Sequence, residues 1–560
     1  MLIKFLKLFL ILLFYQSPLY SKSKTLNEFN SHYLSNYFSG IVAYENKDNF
    51  EALKFFKSSK FLIKQHNSYL KRYIYSLILE GKVQQATNEI KQNSTKDNSN
   101  FFELHLILAL DNLKKRKYEK SKYHLKESYA FIADDQISLI IAETLKEYLY
   151  VFEKNEASNL KNNFGNFSLI NQVFQKCYLD EKNTQNYFES LINQNDTDYS
   201  RYIFFYINYL VENGEYDKAR AITDNLDYLN SSLLISQTKY WIEDKKFNEL
   251  KKIFSCGNSN DIISEFFFLV ANLYSSKENY EKSNFYINIS YYLNPKFVFN
   301  LSLLAENYYL NEDYLKTSEI LSSFKKKDYF YYWFKIKKET QIISKEQNKE
   351  VSIDYISSKF KKIKNPSIKM IFDIANFNKN AKRYKEAIKY YNKILSKISK
   401  NSVLYAEILY RRGGSYERLG DYKNSDKDLL EALEINADDA YVLNYLAYSW
   451  LEREYKIDVA LQMLEKAYEA RSNDPYIIDS IGWAYFLIDD YTKAEKFLKR
   501  AVLLMPEDPI VNDHYGDILW KLHRKIQARY FWKSVLNLEE TEVEMKKNIE
   551  EKLINGLENS

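Results

Sequence analysis

Small and aromatic residues in the segment 475–508 constrain the fold of this 560-residue chain more than any other feature of its sequence. Gly482 and Ala494 stand where two antiparallel helices would cross, and Tyr485 and Leu498 would fill the space beside that crossing. Protein interiors are packed without voids, so two helices approach closely only where the side chains between them are short. The segment therefore predicts a helical hairpin.

The pattern recurs with a period of about 34 residues. Units that begin at Ala406, Ala440, Pro475 and Pro509 share one register, provided that the unit at Ala440 holds one extra residue near Arg453. Such units predict a stack of hairpins in which each packs on its neighbours. The residues that we expect to pack at the helix crossings, or to end a helix in the case of the proline, are Gly413, Tyr416, Ala447, Ala460, Ala467, Gly482, Tyr485, Ala494, Ala501, Pro506, Gly516 and Ala528.

This pattern resembles the tetratricopeptide repeat (TPR), whose unit is a pair of antiparallel helices. The resemblance is specific from about residue 366 onward and implies an all-α, right-handed superhelical solenoid. Before residue 366, Gly40, Ala52 and Phe56 carry a weaker form of the pattern, and the segments 129–199 and 328–365 show apolar periodicity alone. We expect divergent helical repeats there. The 11 glycines and 6 prolines are too few for the turns of an all-β or Rossmann-type fold.

The predicted domain organisation has four parts. Val543, Ile549 and Leu553 follow helical spacing, so we expect a last helix that closes the open end of the stack, as repeat proteins require. The parts are a signal peptide at 1–21, divergent TPR-like repeats at 22–365, a regular TPR block at 366–542, and a capping helix with a tail at 543–560.

The N-terminal segment predicts export. Lys4 and Lys7 precede an apolar run at 8–15, and Ser21 offers a small residue for signal peptidase. We expect cleavage near Ser21 and a periplasmic or secreted protein, with peripheral membrane association as a further option. The alternative is an inner-membrane protein anchored through an uncleaved N-terminus.

Charge and motifs exclude several function classes. The 80 basic and 75 acidic residues are mixed along the chain, so we expect no nucleic-acid binding. No G-x-S-x-G motif or glycine-rich phosphate loop is present, and we expect no enzyme and no cofactor. Asp513, His514 and Asp517 could serve a metal-dependent enzyme, but a metal site needs a third strong ligand. The preferred interpretation is a polar helix face on which His514 hydrogen-bonds to the neighbouring repeat.

The two cysteines, Cys177 and Cys256, allow a disulfide in an oxidising compartment. They lie more than two repeat periods apart, whereas each repeat of a solenoid contacts mainly its neighbours. Two buried thiols are therefore the preferred interpretation.

The TPR resemblance implies that the first helices of the repeats line a concave groove. The positions that face it suggest an aromatic groove with an acidic end, which suits an extended peptide or protein segment. Alternatively, Trp483 and Phe486 only pack against the next unit. The lysine and asparagine with which chaperone-binding TPR proteins grip a C-terminal carboxylate are absent. The predicted groove residues are Tyr410, Arg411, Arg418, Tyr441, Asn444, Tyr445, Tyr448, Asp479, Trp483, Phe486, Asp513, His514, Asp517 and Trp520.

The runs 444–449, 479–483 and 513–520 are similar to those of exported bacterial TPR proteins, some of which are adaptors for envelope proteases. This resemblance implies a non-enzymatic scaffold or adaptor of the bacterial periplasm that binds protein partners and assists envelope protein complexes. The chain lacks the lipidated cysteine of those adaptors. Handling of glycan or lipid cargo is an alternative, and a metal-dependent enzyme is a further one.

Overall fold

A computed structural model describes residues 31–64, 66–95, 97–132, 135–158, 163–194, 198–227, 229, 231–539 and 541–557. The predicted signal peptide at 1–21 lies outside the described residues. Within these ranges the chain forms 30 α-helices and three short 3-10 helices, and no strand is present. This confirms the predicted all-α fold. None of the described helices is both long and apolar enough to cross a bilayer.

The helices follow one another with short connections. Their bounds are α1 Ser31–Glu45, α2 Asn49–Ser58, α3 Asn67–Leu79, α4 Val83–Asn93, α5 Phe102–Lys114, α6 Tyr118–Ser128, α7 Gln136–Lys154, α8 Asn166–Tyr178, α9 Thr184–Ile192, α10 Arg201–Glu212, α11 Tyr216–Asp224, α12 Leu233–Glu243, α13 Phe247–Ile253, α14 Ser259–Ser275, α15 Tyr280–Leu293, α16 Leu301–Leu310, α17 Tyr314–Leu321, α18 Tyr329–Glu346, α19 Lys349–Phe360, α20 Ile368–Asn380, α21 Tyr384–Leu395, α22 Val403–Glu417, α23 Tyr422–Ile435, α24 Ala440–Leu451, α25 Ile457–Ala470, α26 Pro475–Leu487, α27 Tyr491–Leu504, α28 Pro509–Lys521, α29 Lys525–Val535 and α30 Val543–Asn555. The 3-10 helices are Lys60–Lys64, Tyr129–Phe131 and Val298–Asn300.

Aspartates and prolines set the starts of the first helices in the C-terminal repeats. Asp474 and Asp508 accept hydrogen bonds from the backbone N–H groups at the starts of α26 and α28, and a proline follows each of them. An aspartate satisfies N–H groups that have no partner within the helix, and proline is favoured at the first helical position. These local signals fix where each hairpin begins.

The turn inside each hairpin needs a residue in the left-handed backbone region. Asp489 and His523 take this role with φ of 62° and 61°, and Gly420 does so with φ of 73°. The turn between α24 and α25 is longer and has two such residues, Glu454 and Lys456. The extra residue expected near Arg453 is therefore accommodated in this turn.

The chain divides into two compact units. Of the described residues, those within 1–226 and 231–335 form unit 1, and those within 227–230 and 336–560 form unit 2. The division falls inside α18, whereas the sequence pattern becomes regular only near residue 366. The boundary between the two units therefore does not coincide with the start of the regular repeat pattern.

Unit 1 folds back on itself around the hairpin α14/α15. Helix α15 contacts α3 and α4, and α14 contacts α5, α7 and α8. Asn288 of α15 donates to the Leu79 carbonyl at 3.2 Å, and Lys114 donates to the Tyr292 carbonyl at 2.6 Å. These contacts join segments far apart in sequence, so unit 1 is not a stack in which each repeat contacts only its neighbours.

This closure corrects the interpretation of the cysteines. Cys177 of α8 and Cys256, which precedes α14, have Cα atoms 5.5 Å apart and form a disulfide. The expectation of two free thiols was wrong. It assumed contacts between neighbouring repeats only, whereas α8 packs directly against α14.

In unit 2, hairpins α20/α21, α22/α23, α24/α25, α26/α27 and α28/α29 follow in series. A Cβ placed on Gly482 would lie 2.8 Å from the Leu498 side chain, and one on Gly516 would collide with the Trp532 ring. Of the expected packing residues, Tyr416 is partly exposed and Pro506 is exposed. The others are buried, namely Gly413, Ala447, Ala460, Ala467, Gly482, Tyr485, Ala494, Ala501, Gly516 and Ala528.

Candidate partner-binding face

The first helices of the unit 2 hairpins lie side by side. Helix α22 contacts α24, α24 contacts α26, and α26 contacts α28. We call the surface that carries the predicted groove residues of α22, α24, α26 and α28 the inner face. Side chains at equivalent positions of successive repeats therefore become neighbours on it.

Tyrosines dominate the α22 and α24 part of the inner face. The Tyr410 and Tyr445 rings meet edge to face with centroids 5.6 Å apart. The Tyr445 hydroxyl donates to Glu417 at 3.0 Å. Tyr448 lies farther along α24, with its ring centroid 6.3 Å from that of His514. All three tyrosines are partly exposed, so their rings combine contact with each other and access from solvent.

Trp483 is the centre of a stack on α26 and α28. Its ring lies parallel to Phe486, with centroids 4.7 Å apart, and parallel to His514 of the next repeat, with centroids 4.1 Å apart. Packing against the next unit was the alternative interpretation of Trp483, and this contact is present. Trp483 and Phe486 nevertheless remain partly exposed.

A buried hydrogen bond holds the histidine of this stack in place. His514 Nδ1 lies 2.9 Å from Asp479 Oδ2, and both residues are buried. Burial disfavours the charged imidazole, but Asp479 outweighs that effect, with help from Asp513 and Asp517, and raises the pKa of His514 above its usual value. This is the hydrogen bond to the neighbouring repeat that we expected for His514.

The acidic end of the inner face is occupied by the chain itself. Lys552 of α30 donates to Asp513 at 2.6 Å and to Asp517 at 2.8 Å. The Trp532 indole N–H donates to Asp517 at 2.9 Å. Burial, together with the neighbouring Asp513, raises the pKa of Asp517 to about 7, and Lys552 opposes that rise.

Helix α30 thus covers the last repeat. It begins one repeat period after Pro509, about 34 residues on. Ile549 is buried, whereas Val543 is 85% exposed and does not join the apolar side that we expected. Gly556 packs so closely on Trp520 that a Cβ there would collide with the indole. Lys552 was not predicted from the sequence, although the repeat register places α30 where the next first helix would begin.

The residues considered for a metal site are therefore held by other partners. Asp513 and Asp517 bind Lys552, and His514 binds Asp479. In the part of the chain that the structure describes, no group of three histidine, cysteine or carboxylate side chains is arranged to hold a metal ion.

A cationic group lies at the other end of the inner face. Arg411 pairs with Glu407 at 2.9 Å and lies over the Phe372 ring. Arg418 is 3.5 Å from Glu417 and largely exposed. Lys379 of α20, which was not among the predicted groove residues, approaches the same place.

Comparison with known proteins identifies the repeats. The family model described as tetratricopeptide repeat matches residues 368–396, which span the hairpin α20/α21, and residues 406–439, which cover most of the hairpin α22/α23. The chain carries tetratricopeptide repeats.

Two curated relatives are similar to this chain over a part as long as about three repeats. The TPR repeat-containing protein PA4667 of Pseudomonas aeruginosa is 29% identical over 110 residues, which are 20% of this chain and 18% of that protein. Anaphase-promoting complex subunit 3 of Schizosaccharomyces pombe is 23% identical over 109 residues, which are 20% of this chain and 15% of that protein. The chain thus spans less than a fifth of the length of either relative.

Solved structures of low identity also match part of the chain. MamA, residues 41 to end, from Desulfovibrio magneticus RS-1 is 22% identical over 31% of this chain and 97% of its own, with a TM-score of 0.27. The thermophilic TPR protein TTC0263 of Thermus thermophilus is 16% identical over 34% of this chain and 100% of its own, with a TM-score of 0.29. The pilF protein of Pseudomonas aeruginosa is 16% identical over 33% of this chain and 85% of its own, with a TM-score of 0.28.

Proposed function

We propose that this TPR protein is a non-enzymatic scaffold or adaptor that binds an extended segment of a protein partner on the inner face of unit 2. TPR repeats indicate a protein-binding scaffold. The observation that carries the assignment to the inner face is the row of partly exposed aromatic side chains on three adjacent first helices, namely Tyr410, Tyr445, Tyr448, Trp483 and Phe486. Rigid aromatic side chains supply contact area at a low cost in conformational entropy.

The predicted groove residues divide into two roles in this proposal. The partly exposed aromatic side chains would contact the partner. Asp479, His514 and Asp517 are only 4%, 5% and 3% exposed, so they would hold the aromatic stack and α30 in place. A substitution at Asp479 therefore tests stability as much as binding.

Export to the periplasm and assistance to envelope complexes are part of the proposal. The N-terminal pattern supports export. The disulfide between Cys177 and Cys256 supports it independently, because disulfides persist in oxidising compartments. Mass spectrometry of the protein from the periplasmic fraction should show a chain that starts near residue 22. A full-length chain that stays in the membrane fraction would favour the anchored alternative.

Site-specific photo-crosslinking tests the inner face. Tyr441 of α24 is 45% exposed and belongs to the predicted groove, so a photoreactive residue there should capture the partner. Tyr530 of α29 is 70% exposed on a second helix and is the matched control. A partner captured equally from both positions, or only from Tyr530, would contradict the assignment to the inner face.

A further inference from the structure

Gly414 of α22 leaves space that two side chains from neighbouring repeats approach. A Cβ placed on Gly414 would lie 3.1 Å from the Tyr445 hydroxyl and 3.5 Å from Lys379 Nζ. Tyr445 comes from α24 and Lys379 from α20, on either side of α22. The absence of a side chain at Gly414 thus brings the Lys379 ammonium onto the inner face.

The Lys379 ammonium has no carboxylate partner within 4.0 Å among the described residues. The carboxylates nearby are already engaged. Glu407 pairs with Arg411, and Glu417 accepts from Tyr445 and lies beside Arg418. Burial, and the charges of Arg411 and Arg418, lower the pKa of the Lys379 ammonium to about 8.

The charges around Lys379 leave a positive excess. Lys379, Lys382, Arg411 and Arg418 carry positive charge. Glu407, Glu417 and Glu542 carry negative charge, and Glu542 is held by Lys382 at 2.6 Å. At the opposite end of the inner face, Lys552 and His514 engage the acidic side chains. The inner face therefore offers one cation, Lys379, that no carboxylate of the described residues pairs with.

We infer that Lys379, Arg411 and Arg418 form an anion site that binds an aspartate or glutamate side chain of the partner segment. This inference rests on the proposed function, because it names the chemistry of the segment that the inner face takes. A partly buried ammonium is costly unless it is paired, and a carboxylate would supply the missing charge. Hydrogen bonds to ionised groups are also stronger than those between neutral groups.

A random peptide display library, selected on the protein without its first 21 residues, tests the site without knowledge of the natural partner. We expect the selected peptides to be enriched in aspartate or glutamate at a fixed spacing from an apolar residue. Selection on Lys379→Met should lose the acidic enrichment, and selection on Lys379→Arg should retain it. Lys533→Met, at an exposed lysine of α29, removes the same charge elsewhere and should leave the enrichment unchanged.

Affinities measured by calorimetry make the test quantitative. One selected acidic peptide and its asparagine or glutamine counterpart serve as probes. Lys379→Met should lower the affinity for the acidic peptide about 10- to 100-fold, the range expected for a hydrogen bond to a charged group. The affinity for the neutral peptide should stay nearly unchanged. Equal weakening of both peptides would overturn the anion site.

The outcomes separate this inference from the proposed function. Suppose that the selected peptides bind the wild type, do not bind Tyr448→Ala and show no acidic preference. This result would overturn the anion site and leave the inner face as a binding surface. A library that yields no binding peptide would overturn the proposed function and the anion site together.

Discussion

The buried ion pair between Arg201 and Glu265 allows a sharp test of how unit 1 is held together. Glu265 of α14 is 1% exposed, and Arg201 of α10 donates to its two oxygens at 2.7 Å each. The same guanidinium donates to Asn300 at 2.8 Å and lies 3.7 Å from the Phe268 ring centroid. Arg201→Met keeps much of the side-chain volume and removes the charge that compensates Glu265.

The expected loss follows from the protonation of Glu265. Burial raises the pKa of this carboxyl, and Arg201 opposes the rise. Without Arg201 the folded protein should hold Glu265 protonated, which at about pH 7.5 and an unfolded pKa of about 4.3 costs about 4 kcal/mol. Removal of one partner of a buried ion pair typically costs about 3–5 kcal/mol, which agrees.

The loss should depend on pH in a defined direction. A carboxyl whose folded pKa is raised contributes most favourably at low pH, and this contribution is lost as pH rises through the folded pKa. The loss caused by Arg201→Met should therefore shrink to about 1 kcal/mol near pH 5.

Hydrogen exchange measured by mass spectrometry on the full chain gives the free energy of opening for α10 and α14, after correction for intrinsic exchange rates. Helix α26 of unit 2 is the internal control. Arg220→Met removes an exposed arginine of unit 1 and should change little. A loss that is the same at both pH values would refute the electrostatic reasoning and point to lost packing instead.

Three further changes test unit 2. Gly482→Ala should place a Cβ 2.8 Å from the Leu498 side chain and destabilise unit 2 by about 1–2 kcal/mol in urea unfolding, because overpacking outweighs the better helix propensity of alanine; the loss should shrink in a Leu498→Ala background, where only the backbone contact remains. Lys552→Met should leave Asp517 without its ammonium partner and accelerate hydrogen exchange in α30, whereas unchanged exchange would show that the ion pairs do not hold this helix. The raised pKa of His514 means that its contribution to stability is complete below about pH 6.5 and is lost as pH rises through the folded value. His514→Gln should therefore flatten the decline of the thermal midpoint between about pH 6.5 and pH 9, and an unaltered decline would exclude His514 as its source.

The repeat pattern predicted unit 2 well because its determinants are local. Gly482 and Leu498 belong to one hairpin, and their spacing alone specifies the crossing that the structure contains. Capping by Asp474 and Asp508 likewise depends on neighbouring residues. Such signals survive in a single sequence.

The structure of unit 1 depends on contacts that no local pattern encodes. The hydrogen bond from Asn288 to the Leu79 carbonyl joins residues 209 positions apart. Neither residue has a counterpart in the repeat signature, so closure around α14/α15 and the disulfide that follows from it were not predictable.

The candidate site shows a second reason why some features could not be predicted from the sequence. Repeat positions predicted that Asp479 and His514 lie on the inner face. They did not predict that both side chains are buried there. Lys379 lies near Arg411, Arg418 and Glu417, and Lys552 pairs with Asp513 and Asp517. These surroundings depend on the packing of helices from different hairpins. Sequence position alone does not give the distance between side chains of different hairpins.

The disulfide of unit 1 has a consequence for when this unit becomes stable. It closes a loop of 79 residues that contains α9 to α13. Closing a loop of this size restricts the unfolded chain by about 4–5 kcal/mol, more than most single substitutions remove. A chain kept reduced would hold unit 1 by noncovalent contacts alone. The encounter with an oxidant, rather than the moment of synthesis, would then decide when unit 1 acquires its full resistance to unfolding.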